Sequence, residues 1–185
     1  MRTDNWYVLH VRTARELPVA EAARALEGVA AFVPMETLML RHGDDYPEVR
    51  RLLYPGYVFV QTERLSAARY YEFKRIDGVI RLLGLADGDI PRSVPESEMA
   101  ELLALMDNDC VIGVSRGVRR DNGKVEVTDG PLLGMKGRIL KVDARQHRAV
   151  VRLSLMGQSQ TVTLGLIVNS PTEPADEESP RAEEG

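Results

Sequence analysis

Between positions 124 and 169, β-branched residues crowd between glycines, a combination that leaves the backbone little choice but strand. Val125, Val127, Ile139, Val142, Val150, Val151, Thr161, Val162 and Thr163 favour extended backbone. Gly130, Gly134, Gly137 and Gly157 would each cost a helix interior about 1 kcal/mol relative to alanine. The run opens with a short strand from Val125, turns at Asp129-Gly130-Pro131, and resumes at Arg138 as a strand alternating cationic with apolar residues. Further strands are expected over 148–155, 160–164 and 166–168, joined at Met156-Gly157-Gln158-Ser159. The expectation is a permanent five-stranded barrel, with no helical, self-masking form, tumbling independently of the chain before it.

Upstream, the periodicity is mixed. Trp6 to Arg12 has strand composition, and 16–26 reads as a helix, with Leu17, Ala20, Ala23, Ala25 and Leu26 on its apolar side and Pro18 near its start. A second strand is expected over 32–41 and a third over 51–61, kinked at Pro55-Gly56, with a polar hairpin-like loop between them. A helix over 65–76, a strand over 79–83 and a loop over 84–93 follow. Pro95 then opens a helix running to Met106, with Met99, Leu102, Leu103 and Met106 at helical spacing. The order β-α-β-β-α-β-α predicts an α+β unit with one antiparallel-rich sheet flanked by helices. Domain limits are expected at 1–108, a flexible linker at 109–123, the barrel at 124–169 and an acidic disordered tail at 170–185.

Charge is distributed unevenly along the 185 residues. Residues 1–114 carry 13 Lys and Arg against 18 Asp and Glu; residues 115–169 carry 10 against 4; residues 170–185 carry 1 against 6. The only basic block is therefore the glycine-rich one, which suits a local polyanion contact because counterion release depends on nearby cations rather than on total charge. A solvated barrel surface is the competing reading. No apolar run approaches the ~20 residues that span a bilayer, and the lone Cys110 cannot form an internal disulfide, so a cytoplasmic protein is expected.

Taken together, Trp6-Tyr7-Val8, Tyr54-Pro55-Gly56-Tyr57-Val58-Phe59-Val60, the strand at Val79, the Pro95-Glu96-Ser97-Glu98 helix start and the segment 125–143 resemble the NusG family of transcription elongation factors. The 125–143 run resembles its KOW motif. The resemblance implies an N-terminal NGN domain that binds RNA polymerase and a C-terminal KOW small β-barrel. It is nearest to the specialised LoaP-type antitermination paralogues. The housekeeping NusG, coupling polymerase to Rho or the ribosome, is the alternative, and a stand-alone KOW RNA-binding or ribosome-associated protein is a third.

By the same resemblance, polymerase contacts fall on Trp6, Tyr54, Pro55, Tyr57, Ser66 and Ala67, and contacts to the non-template DNA strand on Arg12 and Arg15. Lys136, Arg138, Lys141, Arg145, His147, Arg148 and Arg152 are the candidates for binding a structured leader RNA. Met135, Leu155 and Met156 stand where the family presents apolar residues to protein partners, with Rho, Nus factors and a ribosomal protein all left open. A monomer is expected. Cys110, His10, His42 and His147 fall on separate elements without the spacing of a metal site or nucleophile pair, and no phosphate-binding glycine loop precedes a Lys-Ser/Thr, so neither an enzyme nor a cofactor is expected.

Overall fold

The computed structural model describes residues 5–43, 45–63, 65–84 and 91–169. The acidic tail lies outside the described residues. Strand β1 (Asn5–Val11) leads into α1 (Glu16–Arg24), then β2 (Ala30–Phe32), β3 (Met35–Met39), β4 (Glu48–Leu52) and β5 (Tyr57–Thr62). Next come α2 (Ala67–Arg75), β6 (Val79–Leu82) and α3 (Glu96–Leu105). The remainder is strand: β7 (Val111–Ile112), β8 (Ser115–Arg119), β9 (Val125–Asp129), β10 (Ile139–Asp143), β11 (Arg148–Leu155) and β12 (Gln158–Asn169). Among the described residues, no helix is long and apolar enough to cross a membrane.

Three sheets result. The first, ordered β2-β5-β1-β6, is antiparallel throughout. Its strands alternate strictly, as a sheet covered on both faces requires. Tyr7, Leu9, Val11, Val58 and Val60 point to a core shared with Val19, Ala20 and Ala23 of α1 and Phe73 of α2. Val8 and Phe59 point the other way, to Met99, Leu102 and Leu105 of α3. The second sheet is β4-β3-β7 and the third β10-β11-β12-β8-β9, a curled half-barrel.

Two expected strands are broken. The strand over 32–41 divides at Val33-Pro34, because proline has no N–H to continue a ladder, and β2 and β3 pass into different sheets. The strand over 51–61 divides at Tyr54-Pro55-Gly56, which forms a tight turn instead of a kink. The expected linker, 109–123, carries β7 and β8. β7 pairs parallel with β3, and β8 pairs parallel with β12, so the five-stranded sheet begins at Ser115 rather than at 124.

The two halves pack against each other. One continuous apolar cluster runs from Val8, Phe59 and Leu102 into Leu132, Val151, Leu153 and Leu164. Strand β12 lies directly on β3, where a Cβ at Gly165 would stand 2.7 Å from the Thr37 carbonyl oxygen. The expectation from sequence is a barrel that tumbles independently; in the structure the two halves share this packing.

Candidate functional site

The turn at Tyr54 is built from its sequence. Proline at the second position and glycine at the third, Gly56 at φ +84°, are the residues a type II turn demands, and the Tyr57 N–H closes it on the Tyr54 carbonyl at 3.2 Å. The Gly56 N–H donates to the buried Glu16 Oε1 at 2.7 Å, tying the turn to α1. Tyr54 is thereby aimed inward and is only 7 % exposed, its ring 6.1 Å from that of Phe59. Burial, then the charges of Glu101 and Glu98, push its hydroxyl up to about 12. A cavity of about 310 Å³ beside it is walled by Glu36 and Pro55 from the N-terminal half and by Arg148 and Thr161 to Thr163 from the C-terminal half.

Around it, Pro55 is exposed, while Trp6 and Tyr57 are half-buried. Trp6 meets Phe32 edge-on at 5.3 Å, and Tyr57 meets His10 edge-on at 5.7 Å. Ser66 and Ala67 are exposed at the start of α2, where Ser66 Oγ accepts from the Arg69 N–H at 3.2 Å as a helix cap. They lie on the opposite side of the first sheet from Tyr54. Arg12 and Arg15 both pair with Asp77, so one carboxylate offsets half of their charge.

The C-terminal basic residues divide into groups. Arg145, His147 and Arg148 gather at the β10–β11 turn, and Lys141 is exposed on β10. At the other end of the β10–β11 pair, the Arg152 N–H donates to the Arg138 carbonyl at 2.8 Å, while the Arg138 guanidinium pairs with Glu101 of α3 at 2.7 Å. Lys136 stands 3.8 Å from Glu126. Leu155 is buried, and Met135 and Met156 are half-buried, all three packed into the shared cluster. The Gly157 N–H donates to Glu98 Oε1 at 2.9 Å.

Several interface residues escaped sequence reasoning. Glu36, 8 % exposed on β3, is pushed up to about 7 by burial, against the opposing pull of Arg51 and Arg148. A lone acid within Met35-Glu36-Thr37-Leu38-Met39 was the available signal. Tyr46 donates to the Arg145 carbonyl at 3.4 Å and meets His147 edge-on at 4.7 Å. Glu98 and Glu101 look from sequence like ordinary solvent-facing helix acids.

The NusG family model, described as transcription termination factor nusG, matches residues 4–103. The chain belongs to the NusG family. The NusG protein of Treponema pallidum, named for transcription termination and antitermination, is 25 % identical over 182 residues, covering 88 % of this chain and 95 % of that one. NusG of Escherichia coli K12, named likewise, is 26 % identical over 170 residues, covering 86 % and 91 %. The fold is similar to a solved Thermotoga maritima NusG, reported for its domain interaction, with a TM-score of 0.53 at 18 % identity over 88 % of this chain and 94 % of that one. This NusG-type chain thus carries an NGN unit followed by a KOW sheet, in the family's order.

Proposed function

We propose that this protein is a transcription antitermination factor that binds RNA polymerase through the NGN face around Tyr54 and contacts RNA through the KOW sheet. The observation that carries this reading is the Tyr54 turn, an aromatic on a rigid Pro-Gly scaffold within a family named for transcription termination and antitermination. Trp6, Pro55 and Tyr57 complete the face, and Ser66 and Ala67 offer a second contact from the far side of the sheet. Since Tyr54 is 7 % exposed, docking through it requires the KOW sheet to move away. Binding is then a shift from the closed arrangement to an open one, and polymerase selects the open one by its differential affinity.

The basic block at 115–169 supports the RNA contact and a specialised, LoaP-like role. Non-template DNA reaching Arg12 and Arg15 would compete with Asp77. Housekeeping NusG is the second reading, favoured by the names of the curated relatives; it requires Met135, Leu155 and Met156 to leave the shared cluster to meet a protein partner. The experiment is polymerase binding by full-length protein, with Tyr54→Ala expected to lose about 1–3 kcal/mol of binding energy. A folded variant of undiminished affinity would remove Tyr54 from the interface.

A further inference from the structure

A cleft of about 620 Å³ opens where the β3–β4 connection of the NGN unit meets the β10–β11 turn of the KOW sheet, within the size range of ligand pockets. Arg41 and Tyr46 line it from one half, Arg145 and Arg148 from the other, with Met39 and Leu40 supplying an apolar wall. Three arginines meet at this cleft. Arg12, Arg15, Arg69, Arg120 and Arg138 all sit within ion-pair distance of a carboxylate, whereas Arg41, Arg145 and Arg148 have none among the described residues. Arg41 spends one N–H on the Gly43 carbonyl at 3.0 Å, and Arg148 Nε is buried with no partner, as is His147 Nδ1. Of the nearby described acids, Asp143 Oδ1 accepts from the Gln146 N–H at 3.0 Å, exposed Asp45 is bridged to His42 through its main chain alone, and buried Glu36 faces Arg148 from the β3 side.

Three guanidinium groups outside ion-pair distance of any described carboxylate, an aromatic ring held by a hydrogen bond and an edge-on histidine, and an apolar wall are the elements that recognise a nucleotide: cations for phosphate, flat surfaces for the base. We propose that this cleft, shared between the two halves, is a binding site for a phosphate-bearing nucleotide of single-stranded RNA. The proposal rests on the reading that the KOW sheet contacts RNA, and extends it by placing half of the site on the NGN unit. A ligand spanning both halves favours the closed arrangement, so RNA held here opposes exposure of Tyr54, and polymerase docking reciprocally weakens RNA in the cleft.

The test is anisotropy of a labelled oligoadenylate of about 12 nucleotides with the full-length protein, and AMP as the monomeric probe. Arg41→Ala and Tyr46→Ala, both on the NGN unit, are expected to weaken RNA binding about tenfold, as Arg145→Ala does. Arg41→Ala should also lower the slope of log affinity against log salt by about 0.7, a readout that loss of a purely structural contact would not move. Thermal melts monitored by circular dichroism establish that each variant is folded. If Arg41→Ala and Tyr46→Ala bind like the wild type while Arg145→Ala and Lys141→Ala are weakened, RNA lies on the KOW sheet alone; the shared cleft is overturned while the general RNA reading stands. If AMP binds as tightly as the oligonucleotide, the ligand is a free nucleotide and the RNA claim falls. No RNA binding by the wild type removes both readings.

Discussion

A carboxylate 8 % exposed, at the seam between two halves of a protein, is an unusual choice, and Glu36 has consequences that can be measured. Its pKa is raised from the ordinary 4.5 to about 7 because burial penalises the charged form more than Arg51 and Arg148 favour it. For an acid raised on folding, the contribution to stability is full below about pH 4.5 and is lost as pH rises through about 7. Glu36→Gln should therefore be more stable than the wild type at pH 8, by up to about 3 kcal/mol, with the advantage vanishing near pH 4 in denaturant melts at the two pH values. A pH-independent difference would show that Glu36 does not titrate in this range. Tyr54 carries a second cost at this scale: truncating a buried aromatic should lower stability by about 3 kcal/mol, visible as a lower urea midpoint. The Arg138–Glu101 pair is more modest. With Arg138 half exposed, a double-mutant cycle on thermal stability should return about 0.5–1 kcal/mol.

Elements written in local pattern were legible in the sequence. Aromatic and β-branched composition announced β1, β11 and the second half of the strand expected over 51–61, spacing announced α1 and α3 to within one or two residues, and the glycines announced the strand-rich C-terminal half. The misses share a cause, which is that their partners are remote. β7 is two residues long and is held by a parallel pairing to β3, and β8 sits among arginines and turn residues and pairs parallel with β12. No local periodicity records such pairings, so 109–123 resembles a linker. The candidate site divides in the same way. Tyr54 was readable from Pro55-Gly56, but its covering by β12 was not, and the grouping of Arg41 and Tyr46 with Arg145 and Arg148 depends on that packing. Gly165 is the element-scale control: its backbone angle is one any residue adopts, yet an added Cβ would press on Thr37 of β3. Gly165→Val should leave the KOW sheet intact while parting it from the NGN unit, seen as two sets of NMR relaxation rates instead of one.

At the scale of the whole molecule, an apolar cluster, the Glu98–Gly157 hydrogen bond, the Arg138–Glu101 ion pair and the Tyr46–His147 contact hold the NGN unit and the KOW sheet closed over Tyr54. None of the polar contacts is strong alone. Under the proposed function they set an equilibrium between this closed arrangement and an open one, on which polymerase and RNA would act in opposite directions. Polymerase affinity would then be limited by the open fraction, since a partner that binds only a minor state sees its affinity reduced by that state's population. The most direct measurement compares the affinity of full-length wild type and Gly165→Val for RNA polymerase, with domain separation of the variant verified by NMR relaxation. Covering of the Tyr54 face predicts at least about tenfold tighter binding by the opened variant, corresponding to about 1.4 kcal/mol. Equal or weaker binding by a variant whose halves are demonstrably apart would contradict it.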